Sequence, residues 1–252
     1  MMPYWKDEKH DISIYHGDCL EVIQELDQTF DVCVADPPYN IGFSYAQYDD
    51  SLPHDVYLSQ QLELARLVGG LLSNGGSFWY LNYPEFAARF WSAVDKAVPT
   101  LTCTEWVTWV YHPHTGGRPL RKASRVWLWF SRGTPRSTSF YGTYRNPNDK
   151  RIMRKIAAGK LPIDIDWWLD EQVKNVSSEK TSFPCQVPTD QVRKILYGVH
   201  AEKVLDPYLG SGTTLLACLR NGCSGVGIEL DEQYCELAAS RLEHEIAHGS
   251  LW

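Results

Sequence analysis

The chain has 252 residues, 44% hydrophobic and 22% charged, which suits one sizeable α/β domain or one domain with a modest insert. Its charged start, MMPYWKDEKHD, is unlike a secretory signal, and no apolar run reaches bilayer-spanning length, so a membrane partner is excluded and a cytoplasmic setting is expected. The net charge of −7 argues against a nucleic-acid partner until its distribution is read: residues 111–160 hold twelve basic side chains and one acidic one, a net +11, which leaves −18 on the remainder.

Taken in chain order, β-rich runs at 12–16, 31–35, 77–81, 105–111, 125–130, 203–205 and 225–229 alternate with helical patterns. The helices are expected at 19–26, 54–72, 84–98, 190–198, 213–221 and 231–244, the last with Asp231 as N-cap. Strands joined by crossover helices predict an α/β fold with a doubly wound, mostly parallel sheet of seven strands. The pair at 105–130 lacks a helix between its members and predicts one reversal, a hairpin at one edge. The stretch 132–182 breaks the rhythm with Arg/Lys clusters, turn residues at 144–148 and the pair Trp167-Trp168. It reads as a functional insert between two parts of one domain, 1–131 and 183–252.

Two constellations carry chemistry. The first is Asp36-Pro37-Pro38-Tyr39, just past a predicted strand, where ligand chemistry in open α/β sheets is located. An exocyclic base amine is a poor nucleophile because its lone pair is delocalised into the ring. A carboxylate from Asp36 and the backbone carbonyl of Pro37 would accept its two N–H groups and favour a tetrahedral nitrogen. The paired prolines hold the carbonyls stiffly, and Tyr39 offers a flat face for an extruded base. Methyl transfer from a sulfonium is direct displacement, so no protein nucleophile is required.

The second is the run from Asp206 to Thr214, Asp-Pro-Tyr-Leu-Gly-Ser-Gly-Thr-Thr, a strand followed by a glycine turn that opens a helix. Glycines let a cofactor approach the backbone closely. Glu229 stands nineteen residues past Gly210 at the end of the next strand, placed to hold both hydroxyls of a ribose. The turn lacks the Gly-Lys-Ser/Thr of a P-loop and the third glycine of a dinucleotide fingerprint.

Together these elements resemble the β class of DNA amino-methyltransferases, in which the Asp-Pro-Pro-Tyr segment precedes the recognition region and the cofactor glycine loop comes last. The resemblance extends to residues 15–21, with Asp18, and to 183–188, although the family usually has His where Phe183 stands. It implies a seven-stranded Rossmann-like class I methyltransferase fold with a recognition insert at 132–182, and S-adenosylmethionine as cofactor. Asp36, Pro37, Pro38 and Tyr39 would be catalytic. Asp18, Cys19, Asp36, Gln186, Pro188, Asp206, Pro207, Gly210, Ser211, Gly212, Thr213, Thr214, Glu229 and Leu230 would bind the cofactor, with Asp18 on its adenine amine and 183–188 at its methionine end. Because Asp opens the motif more often in adenine enzymes and Ser in many cytosine ones, the expected reaction is methylation of adenine N6 in double-stranded DNA, with cytosine N4 the alternative. The setting it implies is a prokaryotic or phage-infected cell, with a homodimer and a cognate restriction enzyme as partners the family allows.

From the charge pattern, Arg118, Arg121, Lys122, Arg125, Arg145, Lys150 and Arg151 are the candidate DNA contacts. Cys185 follows a proline as the nucleophile of cytosine-C5 enzymes does, but sits in the cofactor-side segment. The seven cysteines form no Cys-x-x-Cys pair and read as reduced thiols, and His112 and His114 lack a third ligand at metal spacing, so no metal is expected. Trp79, Trp106, Trp109, Trp127 and Trp129 alternate as core residues, while Trp167 and Trp168 are expected to anchor the insert. Rival readings are a methyltransferase acting on RNA or a protein amide, a non-catalytic nucleic-acid-binding subunit of the same fold, and a nicotinamide oxidoreductase, which leaves Asp-Pro-Pro-Tyr unexplained.

Overall fold

A computed structural model describes residues 1–112, 120–174, 177 and 179–249. Its elements are β1 (Trp5–Asp7), β2 (Ile12–His16), α1 (Cys19–Glu25), β3 (Phe30–Ala35), α2 (His54–Leu71), β4 (Leu72–Asn82), α3 (Pro84–Ala97), β5 (Leu101–Val110), β6 (Ser124–Arg132), α4 (Lys150–Ala157), β7 (Trp167–Leu169), α5 (Thr189–Gly198), β8 (Lys203–Asp206), α6 (Thr213–Asn221), β9 (Ser224–Glu229) and α7 (Glu232–His248). They form one sheet in the order β1-β2-β9-β8-β3-β4-β6-β5-β7.

The doubly wound class is as the alternation predicted, with two corrections of detail. The described sheet has nine strands, not seven, because a three-residue strand has been added at each edge. β1 returns antiparallel along β2 through Asp11, whose φ of 51° supplies the turn. β7 joins β5 in parallel from within the insert. Segments this short lack a readable period. The reversed strand of the hairpin, β6, lies between β4 and β5 and not at the sheet margin.

Alternation along the strands divides the apolar residues between two cores. Val32, Val34, Trp79, Leu81, Trp127 and Trp129 face the layer that contains residues of α5, α6 and α7. Cys33, Ala35, Phe78, Tyr80, Leu128 and Phe130 face the layer of α1, α2 and α3. Trp79 stacks on Trp129 at 5.1 Å and on Trp168 at 6.1 Å between ring centres. Trp168 therefore pins the insert to the core, whereas its neighbour Trp167, on the opposite side of β7, is half exposed. Of the other tryptophans expected inside, only Trp106 is partly buried, against the second core.

β2, β9, β8, β3 and β4 are parallel, so their carboxyl ends share one rim of the sheet. From β3 the chain moves outward to β4, and from β8 it moves the other way to β9. The crevice between the ends of β3 and β8 is thus the switch point, where open α/β sheets bind ligands. Because β6 runs the other way, its amino end also lies on this rim, with Val126 opposite Asn82 and Arg125 opposite Trp109.

Candidate active site

Asp36 leaves the end of β3 and Asp206 ends β8, so the switch point is flanked by two carboxyl groups. Around them lies a cleft of about 930 Å³, lined by Asp18, Cys19, Asp36, Pro207, Gly210, Glu229 and Leu230 among the expected residues. A second lobe of about 400 Å³ is lined by Asp36, Gln186, Asp206, Gly210, Ser211, Thr213 and Thr214. Asp36, Phe183, Tyr208 and Gly210 line both lobes. Two expected cofactor residues line neither and serve the scaffold: buried Pro188 caps α5, and Gly212 caps α6 with φ 82°. A Cβ on Gly212 would come within 3.0 Å of Ala238, so the glycine lets α6 and α7 approach.

The glycine loop and Glu229 form one unit. Gly210 donates its N–H to Glu229 Oε2 at 2.7 Å, and Asp231 N–H donates to Oε1 at 2.9 Å. Gly210 has φ 51°, and a Cβ there would lie 2.8 Å from the ring of Phe183. Phe183 in turn meets Tyr234 edge-on at 4.9 Å. Where the family usually has a histidine, this chain therefore packs a ring on the glycine. Asp18 lines the cleft while capping α1 through Leu20 N–H at 2.7 Å. Gln186 is held by Thr181 and by the carbonyl of Glu179.

Burial pushes the Asp36 carboxyl up to about 6, opposed by Arg125 and by the Tyr39 hydroxyl, which donates to Asp36 Oδ1 at 2.5 Å. Burial likewise pushes Asp206 up to about 7, against hydrogen bonds from Thr214 and Tyr208 N–H. Cys185 lines the second lobe, but burial raises its thiol pKa, which is contrary to what a cysteine nucleophile needs.

A buried polar network, absent from the sequence expectations, braces the Asp-Pro-Pro-Tyr segment. Tyr57 of α2 donates its hydroxyl to the Pro38 carbonyl. Asn82, ending β4, donates to the hydroxyls of Tyr57 at 3.1 Å and Tyr80 at 3.3 Å. Tyr80 donates to Gln61, which donates to Tyr208 beside the cleft. A second missed element is the loop after Tyr39. Buried Asp50 accepts N–H groups from Asn40, Ile41 and Phe43 at 2.7, 3.1 and 2.8 Å. This clasp holds Tyr45 and Tyr48 against the cleft.

The basic run divides in two. Arg121, Lys122, Arg145, Lys150 and Arg151 are exposed; Arg118, like His114, lies outside the described residues. Arg125 corrects the expectation: it is only 7% exposed, because it lies within the buried part of β6, and it faces the rings of Tyr39 and Trp109. Arg136, although exposed, is engaged in an ion pair with Asp31 at 2.7 Å. His112 pairs with Glu171, and no His/Cys/Asp/Glu cluster fit for a metal ion exists among the described residues. Nor is any described helix long and apolar enough to cross a membrane.

Residues 30–240 match the family model described as DNA methylase, of the N6/N4 type. This chain belongs to the N6/N4 DNA methylase family. It is 31% identical to the type II methyltransferase M.ScaI of Streptomyces caespitosus, over 96% of this chain and 84% of that protein. In fold it resembles the cytosine-N4-specific PvuII DNA methyltransferase, with a TM-score of 0.70 at 17% identity, over 92% of this chain and 86% of that one. It also resembles M1.HpyAVI in its complex with SAM, with a TM-score of 0.60 at 22% identity, over 90% and 98% of the two chains. The fold, a class I methyltransferase sheet, is thus shared with solved methyltransferases, and the family match takes in the second lobe and most of the first, beginning after Asp18 and Cys19.

Proposed function

We propose that this DNA methylase transfers the methyl group of S-adenosylmethionine to the N6 amino group of adenine in double-stranded DNA. The observation that carries the reading is the position of Asp36: it lies past the end of β3 and walls both lobes of the crevice, next to the Tyr39 ring. A nucleoside joined to an amino acid is a two-part ligand, and a crevice of two lobes meeting at Asp36, Tyr208 and Gly210 fits it. Asp18, Cys19, Leu230 and Glu229 would hold the nucleoside part, and Gln186, Asp206, Ser211, Thr213 and Thr214 the amino-acid part. S-adenosylmethionine supplies a methyl group on a positively charged sulfur, open to direct displacement.

The remaining work falls to side chains and backbone. Asp36 and the Pro37 carbonyl accept the two N–H groups of the amine and leave its lone pair available. With a carboxyl pKa of about 6, Asp36 is mostly charged at neutral pH, yet basic enough to take the proton released from nitrogen. Tyr39 stacks the extruded base. Tyr57 and Asn82 stiffen the prolyl backbone, so the acceptors are preorganised. The exposed Arg121, Lys122, Arg145, Lys150 and Arg151 contact phosphates, and the segment 132–182 reads the target sequence. The relative from Streptomyces is a type II methyltransferase, which supports a restriction–modification setting for this chain.

The aspartate at position 36 supports adenine over cytosine. The test is methyl transfer from labelled S-adenosylmethionine to unmethylated genomic DNA, followed by digestion and mass spectrometry of the nucleosides. Labelled N6-methyladenine is expected. N4-methylcytosine would overturn the choice of base, and unlabelled nucleosides would overturn the reaction.

A further inference from the structure

Arg125 precedes an apolar run in its strand: Val126, Trp127, Leu128 and Phe130 are all fully buried. Its guanidinium lies 4.9 Å from the Tyr39 ring centre, 5.2 Å from Trp109, and 5.8 Å from both Tyr83 and Tyr111. No carboxylate among the described residues forms an ion pair with it, and its Nε finds no hydrogen-bond partner there. Burying a cation is costly, and here it is offset by the surrounding Tyr39 and Asp36, which hold the guanidinium's pKa above its ordinary value. A sheet position with only a packing role would be filled by an apolar residue, as the five positions that follow it are.

The four rings arrive from three parts of the fold. Tyr39 follows β3, Tyr83 caps α3 after β4, Trp109 lies near the end of β5 and Tyr111 just past it. Tyr39 also meets Tyr83 edge-on at 5.2 Å. The cation can join them only because β6 is reversed and starts on the catalytic rim.

We infer that Arg125 is a positioning residue of the methyl-transfer site, which fixes the Tyr39 ring and the Asp36 side chain in one arrangement. The inference rests on the reading of Asp36 and Tyr39 given above. A cation against one side of Tyr39 restrains the ring that would receive the base. Tyr39 transmits that restraint to Asp36 through its hydroxyl. Asp36 also faces Tyr45 of the clasped loop, Cys185 of the segment before α5, and Asp206 at the end of β8. Of these groups only Arg125 is positive, so its charge, together with the Tyr39 hydroxyl, favours the charged carboxylate against burial and against Asp206.

Arg125→Met and Arg125→Lys test this. Methionine replaces a buried charge with an apolar side chain and is expected to leave the fold intact; lysine keeps the charge without the planar group. Thermal unfolding with and without S-adenosylmethionine checks both variants. Two readouts follow: the pH profile of kcat, and the carbon-13 titration of the aspartate carboxyl signal that disappears in Asp36→Asn. In Arg125→Met, the carboxyl titration and the acid limb of kcat should move up by about one pH unit. Its kcat at neutral pH should fall about tenfold, while KM for S-adenosylmethionine changes less than about twofold. Arg125→Lys should titrate as the unaltered chain does.

An unmoved titration in Arg125→Met would overturn the inference. So would equal losses in both variants with an unshifted acid limb, the pattern of a purely structural residue. If the unaltered chain transfers no methyl group to DNA, the functional reading fails, and the carboxyl titration separates that failure from a failure of the role given to Arg125.

Discussion

The rim around Asp36 and the insert at 132–182 solve opposite problems. At the rim, polar groups are buried and engaged: Asp50 clasps three N–H groups, Glu229 two, and Tyr57, Asn82, Tyr80 and Gln61 support one another. In the insert, helix α4 buries no residue, and its Lys150, Arg151, Arg154 and Lys155 point into solvent. The difference suits the roles proposed for the two regions. An amine is activated by acceptors that do not reorganise, which requires over-determined geometry. A phosphate backbone is met by exposed, adjustable charge, whose contribution comes from counterion release and tolerates loose positioning.

The sharpest way to break this contrast is to remove the platform at the rim. Tyr39→Ala is expected to lower kcat/KM for DNA by about tenfold to a hundredfold, the worth of one base–aromatic stack. Tyr39→Phe, which keeps the ring, should lose much less. Steady-state kinetics on both variants decides whether the ring or the hydroxyl matters. Next in size is Asp50→Ala. Three backbone donors then lose a buried charged acceptor, so thermal denaturation should show about 2–3 kcal/mol lost. S-adenosylmethionine affinity should fall with it, because Tyr45 and Tyr48 leave the cleft.

The insert should respond differently. Replacing Arg145, Lys150 and Arg151 together by serine should leave stability within about 0.5 kcal/mol. The slope of log binding constant against log salt should flatten by about 2–3. A large stability loss, or an unchanged slope, would erase the distinction between the two regions.

The smallest effect concerns Asp206. Its carboxyl is raised from 3.8 to about 7 in the folded chain, so its charge is a burden on the fold, absent at low pH and complete once pH exceeds the folded value. Asp206→Asn should therefore match the unaltered protein near pH 4 and become more stable as pH rises to 7, by about 1 kcal/mol or more. Unfolding midpoints measured across that range check the sign.

Legibility followed the same divide, with instructive exceptions. Asp36–Tyr39 and the Gly210 turn were readable because a strand end, two prolines and a glycine pair act over a few adjacent residues. Glu229 was readable through its spacing from that turn. The Tyr57–Asn82–Gln61 network was not, since α2 and β4 converge on Pro38 only in three dimensions. Asp50 was hidden for the same reason: its partners lie up to ten residues back across a loop without a period. Arg125 was misread because counting charge along 111–160 ignores strand phase, and Arg125 belongs to a strand that the sheet encloses. The edge strands β1 and β7 and the eight-residue α4 are too short for periodicity to declare them.

The role proposed for Asp36 is to activate the amine without being needed to hold the methyl donor. The direct measurement is Asp36→Ala, assayed in parallel for labelled methyl transfer to DNA and for the thermal shift produced by S-adenosylmethionine. Transfer is expected to fall by about a hundredfold to ten-thousandfold, with most of the thermal shift retained. Full transfer in that variant would contradict the role of Asp36, and loss of the thermal shift alongside transfer would make it a donor-binding residue instead.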